Sequence, residues 1–201
     1  AGRSEFVAVG GEGAGTGLMV LEQSVLADGD TLTQSRSLVE GQRTTVQRKQ
    51  TLKLRADGAV LLAEEYNHAE GVEVVFDPPL EVLPARVEQG SESTGRGRMT
   101  VHPLGDRTRV RAKGAYTSAS RVERAARIRT PAGEFIAWKI VSRLDADLGP
   151  SRVSNNTESW VVPGVGLVAE RQREETKVIG IKVRNNQSEW VAAKVPAAEK
   201  R

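Results

Sequence analysis

The run WVVPGVGLVAE, Trp160 to Glu170, carries apolar residues into a Pro-Gly turn, passes a second glycine and ends on Glu170. Gly164 and Gly166 bracket a single valine after Pro163. That spacing suits a tight hairpin with a bulge better than a phosphate cradle, because each glycine can take a positive φ that valine resists. Trp160 and Leu167 then anchor two antiparallel strands. Reading this stretch as a hairpin commits the rest of the chain to a β architecture.

Outward from this turn the same rhythm repeats. Two-residue alternation recurs along the chain and helical periodicity hardly at all. Asp28-Gly29 and Asp57-Gly58 are dipeptides that tight hairpins favour. Thr130-Pro-Ala-Gly-Glu-Phe135 reads as a turn between strands Arg121–Thr130 and Phe135–Leu144, with one helix over Arg121–Arg129 as the alternative because Arg, Glu and Ala favour it. Arg107 to Tyr116 reads as a strand with Arg107, Arg109, Arg111 and Lys113 on one face. The Gly-rich run Gly10 to Gly17 fits neither G-x-G-x-x-G nor a P-loop, and reads as a loop. Two Asn-Asn pairs, Asn155-Asn156 and Asn185-Asn186, each stand shortly before a tryptophan and read as turns entering strands.

Pro78, Pro79 and Pro84 interrupt the segment from 77 to 92. Each removes a ladder donor, so this stretch is expected to be an extended connector at the surface or at an open end of the sheet. It is also the one candidate sub-boundary in a chain otherwise read as a single β-rich domain, 1–201, with a disordered tail at 196–201.

Composition bounds the chemistry. Apolar residues make up 38% of the chain and aromatics 4%, so the core must rest on aliphatic side chains. The absence of cysteine excludes disulfides, thiolate metal sites and cysteine nucleophiles. Net charge is +3, but the segment 95–129 holds ten Lys/Arg against Asp106 and Glu123. One region is basic while the rest of the molecule is acidic. His68 and His102 read as exposed loop residues, and no nucleophile elbow is present. Glu64-Glu65 and Glu174-Glu175 are neighbours on strands, so the members of each pair point to opposite faces and cannot share an acid/base site.

Three separated pieces occur in order: DPPLEVLPARVEQGSE (77–92), TPAGEFIAWKI (130–140) and ESWVVPGVGLVAE (158–170). Together they resemble a family of bacterial exported proteins of unassigned function, whose architecture is similar to the LolA/LolB type of lipoprotein carrier. The resemblance implies a mainly β fold with little helix: a long curved antiparallel sheet, a half-barrel or open barrel of meandering hairpins. It implies a periplasmic or secreted location with the leader removed, and it supplies no catalytic residue or cofactor.

Two readings of function stand side by side. The first is a non-enzymatic envelope protein, a structural or interaction module in which Trp138, Trp160, Val165 and Leu167 simply close the core. The alternative is a periplasmic carrier in which those four residues line a groove for a lipid or other hydrophobic molecule. The cations Arg107, Arg109, Arg111 and Lys113 form either a solvated face paired with glutamates or a docking strip for an anionic envelope surface. Nucleic acid is the weakest partner, because aromatics for base stacking are missing from the basic segment.

Overall fold

A computed structural model describes residues 2–11, 17–25 and 29–196, and among them every regular element is a β-strand. In chain order these are β1 (Gly2–Gly11), β2 (Leu18–Val25), β3 (Thr31–Glu40), β4 (Arg43–Leu54), β5 (Val60–Asn67) and β6 (Val72–Leu83). They continue as β7 (Glu92–Pro103), β8 (Ala112–Thr130), β9 (Gly133–Asp147), β10 (Ser151–Val162), β11 (Gly166–Val178) and β12 (Ile181–Lys194). Each strand pairs antiparallel with its chain neighbours, and β1 pairs with β12 through Phe6↔Ala192 and Ala8↔Trp190. The expected antiparallel sheet of meandering hairpins is present, and it curves far enough to close into a barrel.

Closure gives the sheet an inside and an outside. The outer wall carries exposed Arg98, Arg121, Arg143, Arg152 and Arg171. A barrel crossing a membrane shows an apolar band to lipid, and an arginine there costs about 2–4 kcal/mol at mid-depth. This wall therefore faces water. Apolar side chains gather in two clusters. One joins Leu52, Leu62, Phe76, Leu80, Met99 and Tyr116 from β4 to β8. The other joins Phe6, Met19, Leu21, Val168 and Ala192 to the end of the long β8–β9 hairpin.

That hairpin explains the second cluster. From Ala125 to Thr130, β8 pairs only with β9, and β9 meets β10 only from Trp138 onward. A register shift between Val122 and Ala125 bends the free arm. Its turn returns onto β12, where the Ala132 N–H donates to the Ala192 carbonyl at 3.0 Å. Ile128, Ala132 and Phe135 pack there and close one end of the barrel.

The proline segment departs from the sequence expectation. Pro78 and Pro79 lie within β6 rather than in a connector, and only residues from Pro84 onward leave the sheet. The strand tolerates them because β6 pairs with β7 only as far as Asp77, and because its register against β5 slips between Leu62 and Glu64. The missing donors thus fall where no ladder partner is waiting. Tyr116 donates instead to the Pro78 carbonyl at 2.6 Å, and its ring meets Phe76 edge-on at 5.5 Å. Both Asn-Asn pairs likewise sit inside strands, β10 and β12, and not in turns. The loop at Gly10 to Gly17 and the tail at 196–201 fall largely on 12–16 and 197–201, outside the described residues.

The WVVPGVGLVAE hairpin is as expected. Gly164 and Gly166 have φ of 77° and 99°, and a register shift between Trp160 and Val161 supplies the bulge. A different glycine is sterically tighter. A Cβ on Gly114 would lie 1.7 Å from the Asp147 carbonyl oxygen, where the end of β9 crosses the start of β8. Gly114→Ala should therefore cost about 3 kcal/mol or more, because backbone must move. Gly164→Ala, which meets only open space, should cost about 1 kcal/mol from its φ alone. Urea unfolding midpoints of the two variants check this order, and equal losses would contradict it.

Candidate functional site

A ring of twelve strands is too wide for its own side chains to fill. Strands spaced about 4.8 Å apart and tilted about 40° close at a radius of about 12 Å. The interior accordingly holds a cavity of ≈ 800 Å³. Its lining differs around the ring. On β4 to β7 the wall is apolar, with Leu52, Leu62, Phe76, Leu80, Met99 and Val101. Elsewhere the lining mixes polar side chains with apolar ones such as Leu21, Ile140, Leu144, Val153 and Leu167.

Register makes two polar rows of these positions. Gln23, Gln34, Gln50 and Glu65 stand directly opposite one another across β2, β3, β4 and β5. Their side chains link in sequence: Gln23 Nε2 donates to Gln34 at 2.8 Å, Gln34 Nε2 to Gln50 at 3.1 Å, and Gln50 Nε2 to Glu65 at 2.7 Å. On the other side, Ser93, Ser120, Ser142, Thr157 and Gln172 stand opposite one another across β7 to β11. Ser93 and Ser120 share a hydrogen bond of 2.9 Å. Among the described residues, the hydroxyls of Ser118, Ser142 and Ser159 bond no other group and face the cavity.

Ion pairs join the two sides. Arg36 on β3 holds Glu170 on β11 in a bidentate grip of 2.5 and 3.0 Å, four strands away around the ring. Glu170 is nearly sealed, with 7% of its side chain exposed. Burial by itself pushes the Glu170 carboxyl up, but the Arg36 guanidinium outweighs it and holds the group below its ordinary 4.5. Arg48 pairs with Glu65 at 3.3 Å. Arg184 on β12 reaches Glu174 at 3.4 Å and also binds Glu70 in the turn after β5, five strands away. Burial, helped by the Glu70 charge, pushes the Glu174 carboxyl above its ordinary value. Glu65 and Glu174 point inward, whereas Glu64 and Glu175 pair with groups outside, as alternation requires.

The four residues expected to line a groove are not brought together in the cavity. Of Trp138, Trp160, Val165 and Leu167, only Leu167 lines it. Trp160 and Val165 pack in the cluster at the closed end, and Lys139 sits 5.6 Å from the centre of the Trp160 ring. Trp138 is half-buried opposite Ala125 and Val161. The aromatics support the fold more than they face the interior.

Nor do the four cations form a strip. Pro103 ends β7 and β8 begins only at Ala112, so Arg107, Arg109 and Arg111 belong to a loop and Lys113 alone to a strand. A donorless proline and a turn at Gly105, with φ of 77°, break the alternation that the charges suggested. Arg107 is used up locally: it pairs with Glu64 at 2.9 Å and with buried Glu73, and donates to Tyr66 Oη at 3.0 Å. The carbonyl of Arg109 meets His102 Nδ1 at 2.7 Å. Arg111 stands at the cavity rim.

The interior rows were hidden in the sequence. The signal that could have found them is polarity on both faces of one strand, as in Gln34-Ser35-Arg36, Gln47-Arg48-Lys49-Gln50 and Gln172-Arg173-Glu174-Glu175. A strand without an apolar face must meet either water on both sides or a polar interior.

No protein-family model matches the chain, and no curated protein sequence does. Solved structures do match in fold. One is a Bacteroides fragilis NCTC 9343 protein described as exported and YmcC-like in fold, at TM-score 0.53 and 13% identity, covering 98% of this chain and 94% of that one. Another is a protein from Parabacteroides distasonis ATCC 8503 described as a lipoprotein, at TM-score 0.51 and 14% identity, covering 97% and 93%. At these identities the likeness is one of fold.

The Arg36–Glu170 pair gives a direct test of the interior. Glu170→Gln leaves a buried guanidinium without its counter-charge and should cost about 3–5 kcal/mol. Arg36→Met combined with Glu170→Leu should cost clearly less than the two single changes added together. The pH dependence follows from the lowered Glu170 value. The wild-type advantage over Glu170→Gln is full above pH 4.5 and is lost as the pH falls through the lower folded-state value. Urea titrations across pH 3 to 7 read both effects (roughly the range in which carboxylates titrate), and an advantage independent of pH would contradict the assignment.

Proposed function

We propose that this chain is an extracytoplasmic, non-enzymatic binding protein that holds an amphipathic small molecule inside its barrel. The observation that carries the reading is the ≈ 800 Å³ cavity, which sets an apolar patch on β4 to β7 beside polar rows that run across β2 to β5 and β7 to β11. Small-molecule sites commonly occupy about 300–1,000 Å³ and combine an apolar lining with a few placed polar groups. The extracytoplasmic location is supported by the fold it shares with a protein described as exported and another described as a lipoprotein. The resemblance to exported proteins of LolA/LolB-type architecture points the same way and favours a lipid or similar hydrophobic ligand. Placing both histidines outside the cavity lining supports a role without catalysis.

A second reading has an observation of its own. The interior charges are paired with one another, as Arg36–Glu170 and Arg48–Glu65 show, so the barrel can also serve as a structural module with a self-contained polar core. A docking role for the outer wall at an anionic envelope surface fits this reading, with Arg96, Arg98 and Lys113 as its exposed cations.

Filling the cavity separates the two. Val153 lines it, whereas Val141 belongs to the outer face of β9. N-phenyl-1-naphthylamine should bind the wild-type protein saturably, one dye per chain, with a rise in fluorescence. Val153→Trp should weaken that binding at least about tenfold, and Val141→Trp should leave it unchanged. No saturable dye binding, or equal loss in both variants, would favour the structural module.

A further inference from the structure

The polar part of the cavity specifies a headgroup. Resting on the binding reading above, we infer that the barrel selects an amphiphile whose head is uncharged and rich in hydroxyl groups, a sugar or polyol, in preference to a charged lipid.

Charge balance is the first argument. Arg36, Arg48 and Arg184 meet Glu65, Glu70, Glu170 and Glu174 in the cavity wall, with no lysine, aspartate or histidine among the described lining residues. The deepest of these charges are committed to each other. Arg36 is gripped by Glu170, Arg48 by Glu65, and Arg184 by Glu70 and Glu174. Away from Arg111 at the rim, an anionic head would have to displace a carboxylate from one of these arginines, and a cationic head an arginine from its carboxylate. Either exchange leaves a partly buried charge without its counter-charge, which is costly. A neutral head asks for no such exchange.

Hydrogen-bonding capacity is the second, independent argument. The inward rows consist of amides and hydroxyls. The ladder Gln23–Gln34–Gln50–Glu65 uses one amide hydrogen from each glutamine, and every glutamine side chain carries two. Each of these amides therefore keeps a donor. Across the cavity, Ser118, Ser142 and Ser159 keep both donor and acceptor functions open. Closely spaced groups that both donate and accept match hydroxyls, which do the same. A phosphate or carboxylate only accepts.

The placement of the apolar wall completes the ligand. Leu52, Leu62, Phe76, Leu80 and Met99 form a continuous patch beside the polar rows. Leu62 on β5 stands three residues from Glu65, the last member of the glutamine ladder. A short hydrocarbon chain on this patch would bring its head against the amides of β3 and β4.

Three probes with tails of seven or eight carbons test the headgroup by calorimetry: n-octyl β-D-glucoside, octanoate and octyltrimethylammonium, each used below micelle formation. The expected result is glucoside binding at least about tenfold tighter than either charged probe, the equivalent of one or two hydrogen bonds. Ser142→Ala should weaken glucoside binding about threefold or more while leaving octanoate binding and the urea midpoint unchanged. Octanoate or octyltrimethylammonium binding as tightly as the glucoside would overturn the headgroup assignment and leave the cavity reading standing. Failure of all three probes together with the naphthylamine dye would overturn the cavity reading as well. An unchanged glucoside affinity in both Ser142→Ala and Gln50→Leu would remove the polar rows from recognition.

Discussion

Closure of the ring by β1 against β12 is the constraint on which the rest of this structure depends. Phe6↔Ala192 and Ala8↔Trp190 are ordinary antiparallel pairs, yet they remove both edges of the sheet at once. Closure also fixes a perimeter of twelve strands, and therefore an interior that side chains cannot fill. The cavity, the two-sided polarity of the strands and the hairpin folded over one end all follow from that perimeter. An open sheet of the same sequence would expose Gln34, Gln50 and Glu65 to bulk water and leave Phe6 and Ala192 uncovered.

The polar interior gives up some stability. Burying Glu170 costs desolvation that Arg36 has to offset, and a well-packed apolar pair commonly does as well or better. Two apolar clusters supply the hydrophobic stabilisation instead, one along β4 to β8 and one at the closed end. Between them the barrel keeps a region where geometry is set by hydrogen bonds rather than by packing. In such a region each amide and hydroxyl has a fixed direction, which sets the pattern that any guest would have to match. Cross-barrel contacts such as Arg36–Glu170 and Arg184–Glu70 also hold distant strands at fixed separation, which keeps the cavity open to a defined width.

Much of the strand pattern was legible along the chain. The turns at Asp57-Gly58, Pro131 to Gly133 and Pro163 to Val165 lie where Gly and Pro placed them, since those residues act on the local backbone. The proline run at 78 and 79 was misleading because its cost depends on whether a neighbour needs the missing donors. Only the end of the β6–β7 ladder at Asp77 answers that question. The cations from Arg107 to Lys113 misled in a similar way. Their spacing is that of a strand, but Gly105 and Asp106 turn the chain, and Arg107 is drawn to Glu73 and Glu64 from other strands. Of the two readings of Trp138, Trp160, Val165 and Leu167, the groove rested on the resemblance and on apolar residues flanking a turn, and the other had them close the core. In the fold, Trp160 and Val165 pack in the cluster at one end, and the cavity is lined by other residues.

The sequence by itself determined that this chain is a mainly β meander without cysteine chemistry, because turn residues and two-residue alternation act over a few neighbouring positions. It also determined that Glu64 and Glu65 face opposite ways, a consequence of the pleat alone. Which side of each strand is inside was decided by tertiary structure, since strands such as β3 and β4 are polar on both faces and alternation cannot orient them. Register across the ring then aligned Gln23, Gln34, Gln50 and Glu65 into one row, from positions spread over forty-three residues of chain. Pairing partners four or five strands away, Glu170 for Arg36 and Glu70 for Arg184, exist only because the sheet closes.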